Sequence, residues 1–224
     1  MFSELVESLR CVRSHEPTGL VAVSFETVER DIVRGSLGCP SCRAEYPIVG
    51  AVADLRDGAE GPPLPPAKTR PETELAIRAG AFLGLEDPGG VVVLAGAWSA
   101  AAPELAGMAE GVKLLALDAA PGIASGAGVS LARTAGAVPV RAGSARGIAL
   151  DGAHAGERYL ASAVNALAPR GRLVAPASCA VPGGMKELAR DARDWVAERL
   201  PAATVVPLTR AARGARDQPP ASES

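Results

Sequence analysis

The spacing of hydrophobic and polar positions changes along the chain. Residues 20–25 alternate, with Leu20, Ala22 and Ser24 set against Val21, Val23 and Phe25, which predicts a strand over 19–26. Residues 4–9 form a short helical lead-in. Residues 32–38 are extended, and Tyr46-Pro47-Ile48-Val49-Gly50 continues extended to Leu55. Beyond residue 71 the period lengthens. Leu75, Ala79, Phe82 and Leu83 share one face of a helix over 72–85, as do Leu160, Ala163, Val164 and Leu167 over 156–168. The pattern also predicts a short helix near 103–110 and a helix over 185–200 that aligns Leu188, Ala192, Trp195 and Val196. Between the helices, runs at 91–95, 113–118, 137–141, 147–151, 171–177 and 204–208 read as strands. This alternation predicts an α/β fold with a mainly parallel sheet and helices on both faces.

Residues 57–71 interrupt the pattern. Five prolines and two glycines in DGAEGPPLPPAKTRP exclude a helix or a central strand. The chain therefore divides into a small β module over 1–56, a linker over 57–71, a larger α/β domain over 72–211 and a polar tail over 212–224, expected to be disordered.

With 48% hydrophobic residues, the chain can build one core and a satellite. A net charge of −2 offers no electrostatic case for nucleic acid. The longest apolar stretch, 91–109, is broken by Pro103 and Glu104, so no membrane span is expected. Residues 1–10 lack the apolar centre of a signal peptide. Four cysteines in a chain of this length do not make a disulfide scaffold, and a cytoplasmic setting with a metal site fits better.

Of four cysteines and two histidines, Cys11, His15, Cys39 and Cys42 fall in the first 42 residues. Cys39-Pro40-Ser41-Cys42 is a C-x2-C knuckle, and residues 11–15 supply a second arm. Thiolates and imidazole on tight turns are the ligands a tetrahedral structural zinc requires. The alternative for His15 is a solvated loop histidine. A module of this size has little core, so a metal staple would hold it together, and four protein ligands leave no open position for a catalytic zinc.

The small module resembles the zinc-binding family that activates tRNA and ribosomal methyltransferases, together with its short bacterial relatives. The resemblance rests on Leu9-Arg10-Cys11, on Cys39-Pro40-Ser41-Cys42, and on Tyr46-Pro47-Ile48-Val49-Gly50 running into Leu55-Arg56. It covers about a quarter of the chain. The family's first arm is C-x2-C, whereas Ser14 stands at the second cysteine position here, and His15 is the substitute ligand. Such relatives cover the apolar surface of a methyltransferase, so the resemblance implies a partner surface satisfied within one chain.

Residues 72–208 resemble a class I methyltransferase of the Rossmann type. Residues 90–96 are similar to its first strand and turn, 114–118 to a second strand ending in the acid that holds ribose, 150–154 to the exit of strand four, and 166–174 to the entry of strand five. The resemblance implies S-adenosylmethionine as cofactor, with Gly96 and Asp118 at its site. The cofactor loop departs from the family. Leu94 stands at the acid position, Trp98 and Ala100 stand at glycine positions, and Ser144 stands where an acid contacts adenine. A tryptophan fills the space that close backbone approach needs.

Asp151 and His154 are the weak catalytic candidates. They read as an acid–base pair or part of a metal site at the exit of a strand, or as a helix N-cap with a histidine in the first turn. Cys179 reads as a plain thiol. Two functions follow. One is a zinc-stabilised, methyltransferase-like pseudoenzyme that binds a protein partner or serves a larger complex. The other is an active methyltransferase acting on a small molecule through an atypical cofactor loop.

Overall fold

The computed structural model describes residues 1–67 and 72–201. Its described strands are β1 (Val21–Val28), β2 (Asp31–Gly38), β3 (Glu45–Val49), β4 (Val52–Asp54), β5 (Val91–Ala95), β6 (Lys113–Leu117), β7 (Val129–Arg133), β8 (Ala145–Ala149), β9 (Leu167–Pro176), β10 (Met185–Arg190) and β11 (Asp194–Arg199). They form one mixed sheet in the order β1-β2-β3-β4-β7-β6-β5-β8-β9-β11-β10. Pairings from β4 through β7, β6, β5 and β8 to β9 are parallel. Those at both ends are antiparallel. The expectation of a mainly parallel sheet therefore holds for the centre alone.

The centre follows a doubly wound order. The chain enters at β5, steps outward to β6 and β7, then returns to the other side of β5 as β8 and β9, which leaves a crevice at the carboxyl ends of β5 and β8. Helices α1 (Thr73–Leu83) and α2 (Ala102–Met108) pack on one face against Val92, Leu94, Leu114 and Ala116. Helix α3 (Glu157–Ala166) and a 3-10 turn at Ser3–Ser8 cover the other face, over Val93, Leu115, Leu37 and Ile48. Successive residues of the parallel strands point to opposite faces and both faces are covered. Their apolar runs are accordingly continuous rather than alternating.

The N-terminal module continues the same sheet. Val52, Ala53 and Asp54 of β4 pair with Leu131, Ala132 and Arg133 of β7. The Leu55 N–H extends the ladder to the Arg133 carbonyl at 2.9 Å. Arg10 bonds to the Val140 carbonyl through Nε at 3.1 Å, and the Phe2 N–H donates to Ser130 Oγ at 2.9 Å.

Three expected elements differ. The helix expected over 185–200 is the hairpin β10–β11. Alanine, glutamate and arginine favour a helix on propensity, but β11 pairs with β9 and buries Trp195, Val196 and Ala197 in succession, while Leu188 stays exposed. The Asp191 side chain accepts from the Arg193 and Asp194 N–H groups, forming the turn, and Arg78 bridges Asp191 and Asp194 from α1. The strand expected over 137–141 lies earlier, at β7. Pro139 cannot donate to a ladder, and Val140 makes only a lone bridge to Leu9. The lead-in over 4–9 is 3-10 rather than α-helical. The strand expected over 204–208 and the tail from 212 lie outside the described residues.

Candidate functional site

Two clusters of chemistry-bearing residues form. The first lies beside the β2–β3 turn. The Cys39 N–H bonds to the Ala44 carbonyl and the Arg43 N–H to the Cys39 carbonyl, both at 2.9 Å, which curls residues 39–44 into a knuckle. Cys11 follows the bridge between Arg10 and Gly19, and its own N–H is fixed to the Thr18 carbonyl. These constraints bring Cys11, His15, Cys39 and Cys42 together, with ligand atoms all within 4.8 Å of one another. Cys11 Sγ lies 3.7 Å from Cys42 Sγ, and Cys39 Sγ lies 3.5 Å from His15 Nε2. This group could hold a metal ion.

Neighbouring groups set the state of these side chains. His15 Nδ1 is 2.6 Å from the Glu16 carbonyl, so its N–H donates there and Nε2 keeps a free lone pair facing Cys39. The fully buried Tyr46 places its hydroxyl 3.1 Å from Cys11 Sγ and can donate to that sulfur. Burial raises the tyrosine pKa, and Cys11 adds to the rise. Burial pushes the Cys39 thiol up, but the Cys42 and Ser41 N–H groups outweigh it and bring the thiol down to about 7. Tyr46 entered the sequence reading as part of a tail motif. Its role beside Cys11 requires the β2–β3 pairing of Leu37 with Tyr46.

The second cluster lies in the crevice at the carboxyl ends of three adjacent strands, with Gly96 after β5, Asp118 after β6 and Asp151 after β8. Gly96 has φ +59°, and a Cβ there would run into the Asp151 carboxylate. Asp151 Oδ2 accepts from the Ala97 N–H at 2.8 Å, and Oδ1 accepts from the Ala153 N–H at 3.1 Å. Asp151 thus caps the 3-10 turn Gly152–His154, as one sequence reading expects. It also contacts His154.

His154 is fully buried and bridges two acids. Its Nδ1 is 2.6 Å from Asp151 Oδ1 and its Nε2 is 3.1 Å from Asp118 Oδ2. Burial alone would lower its pKa, but the bonds to Asp118 and Asp151 raise it to about 9. The ring is therefore an imidazolium at neutral pH, donating from both nitrogens. Asp151 is held below the usual carboxylate range: burial raises it, and the bonds to His154 and Ala97 more than offset that. Asp118, also fully buried, takes further bonds to Oδ1 from Arg133 Nε at 3.0 Å and the Thr134 N–H at 3.2 Å. Arg133 and Thr134 escaped the sequence reading because it set the third strand several residues too late.

Trp98 is buried in the core beneath α1 and α2. With Ala97, Asp151, Gly152, Leu75 and Arg193 it borders an open cavity of about 360 Å³. Leu94 is fully buried. Ser144 does not join the crevice, since it immediately precedes β8 and lies at that strand's opposite end. Cys179 is a free, half-buried thiol whose carbonyl accepts from Trp195 Nε1 at 2.9 Å. Among the described residues, no helix is long and apolar enough to cross a membrane.

Neither known family models nor characterised protein sequences give a match. Among solved structures, the chain is similar to geranyl diphosphate C-methyltransferase from Streptomyces coelicolor A3(2), solved with Mg2+, geranyl-S-thiolodiphosphate and S-adenosyl-L-homocysteine. Identity is 13% and the TM-score is 0.35, over 52% of this chain and 55% of that one. The chain spans about half the length of that protein.

Proposed function

We propose that this chain is a zinc-stapled, methyltransferase-like binding protein in which the crevice that would serve a cofactor is closed from within. The observation that carries this reading is the buried Asp118–His154–Asp151 bridge. A ribose-binding acid must offer its carboxylate to a ligand, yet Asp118 is fully buried and already bonded to His154, Arg133 and Thr134. A cofactor loop must offer bare backbone, yet the Asp151 carboxylate sits against Gly96 and takes the Ala97 N–H. Opening the crevice would strand buried charges that now neutralise one another, at a cost of several kcal/mol (about 3–5). The domain would then hold a protein partner, or a place in a larger complex, rather than transfer methyl groups.

Zinc is the metal that the first cluster fits. With Zn–S near 2.3 Å and Zn–N near 2.0–2.1 Å, a tetrahedral site separates its sulfurs by about 3.8 Å and sulfur from nitrogen by about 3.5 Å. Two of the separations here, Cys11 to Cys42 and Cys39 to His15, are 3.7 Å and 3.5 Å, and all four ligand atoms lie within 4.8 Å of one another. Cys11, His15, Cys39 and Cys42 would hold the ion, which would supply folding free energy and no reaction step.

A second reading is an active S-adenosylmethionine-dependent methyltransferase, favoured by the cavity beside Trp98 and Asp151. Titration calorimetry with S-adenosylmethionine and S-adenosylhomocysteine on zinc-replete protein separates the two. The proposal expects no heat of binding up to millimolar ligand. Micromolar affinity for the wild type overturns it, and binding gained only by Trp98→Gly would identify the indole as a further block.

A further inference from the structure

Among the described residues, no element covers the outer face of β1–β3. Helices α1 and α2 pack over β6 to β9 on that side, while the inner face of β1–β3 is closed by the Ser3–Ser8 turn through Leu5, Leu9, Leu37, Tyr46 and Ile48. In an α/β protein a sheet section left bare on one face carries polar side chains there. Here it carries Val21, Val23, Phe25 and Val49, exposed by 59%, 52%, 62% and 70%. With Pro47 they amount to roughly 500 Å² of apolar surface, at the upper end of the 300–600 Å² of the largest patch on typical monomers.

We infer that this face is an isologous dimer interface in which the β1–β3 outer faces of two copies of the chain pack against each other about a two-fold axis. Three observations select a second copy. Where a self-complementary patch carries charge, both signs must lie on each copy for the two to attract. Arg34 lies beside the Phe25 ring at 5.9 Å and Glu26 at 3.6 Å, with Glu45 exposed on the neighbouring strand of the same face. Each copy can therefore meet its partner's acids with its own arginine. Second, the apolar patch and its charged rim together offer roughly 800 Å² per copy, the share of one partner in a standard interface. Third, β1 is shielded against simple edge addition. Register shifts at Ser24/Glu26 and Glu26/Thr27 break its ladder, and bulges of this kind turn an edge away from a new strand. The exposed side chains of the face, rather than the backbone edge, are left to make the contact. This inference uses neither the metal nor the closed crevice.

Analytical ultracentrifugation on the zinc-replete full chain tests it. The expected species at 100 µM has about twice the 22.6 kDa chain mass. Val23→Glu and Phe25→Glu should each raise the dissociation constant at least about 100-fold, because a two-fold interface receives every introduced carboxylate twice. Both residues are solvent-exposed in the single chain, so the variants should keep wild-type circular dichroism and metal content. Val49→Glu, on β3, provides a third variant should either lose its fold. A monomeric wild type at 100 µM overturns the inference and leaves the face to a different protein. A dimer that persists in all three variants overturns it as well.

Discussion

Replacing His154 removes the cation that bridges Asp118 and Asp151. His154→Gln keeps a donor but no charge, so the buried Asp118 and half-buried Asp151 carboxylates face a neutral amide while Arg133 still holds Asp118. The magnitude comes from the imidazole pKa, raised from 6.5 to about 9 by its two acids. A histidine whose folded-state pKa is raised stabilises fully below its unfolded pKa, and that contribution is lost as pH rises through the folded value. At pH 7 the contribution is about 2.5 kcal/mol, falling to about 0.4 kcal/mol by pH 9. Breaking a buried pair by removing one partner costs about 3–5 kcal/mol, and the remaining Arg133 bond places His154→Gln near the lower end. Urea unfolding of both proteins between pH 6 and 10 reads this directly. The wild-type curve should stand about 2–3 kcal/mol above the variant at pH 7 and converge on it above pH 9. Titration of the metal-site thiols acts on both proteins and cancels in the difference. Parallel curves up to pH 10 would refute the imidazolium bridge.

Gly96→Ala should destabilise by at least about 3 kcal/mol, since it combines an unfavourable positive φ with a methyl group driven into Asp151; a denaturant midpoint shift checks it. Colorimetric metal release should find one zinc per chain in the wild type and none in Cys39→Ser. Loss of about 3 kcal/mol of folding free energy there lowers Tm by roughly 6–12 °C at 2–4 °C per kcal/mol. His15→Cys should retain zinc while His15→Ala binds it at least about tenfold more weakly. Equal affinity in His15→Ala would remove His15 from the ligand set.

The Cys/His cluster was legible because each of its two arms lies on a turn closed by near neighbours, so spacing nearly fixes the geometry within each arm. The strands at 91–95 and 113–118 were legible because apolar runs between Gly or Pro signals fit buried parallel strands. The β10–β11 hairpin was not. Its residues prefer a helix locally, and only pairing of Trp195, Val196 and Ala197 with β9 overrides that preference. Asp151 and His154 read as a pair, but their link to Asp118 was invisible. Whether they meet depends on β6 and β8 flanking β5, a property of sheet order that no local pattern encodes.

The parallel pairing of β4 with β7 also sets a timetable for synthesis. Asp54 must wait for Arg133 before its strand, already paired with β3, has a second neighbour. At roughly 5–20 residues per second, the nascent module would wait about 4–16 s with one flank open. All four ligands leave the ribosome before that interval begins, so an ion captured early would lock the β2–β3 knuckle in register while the rest of the sheet is still being made. Metal supply would then govern the yield of correctly assembled chains more than the endurance of finished ones.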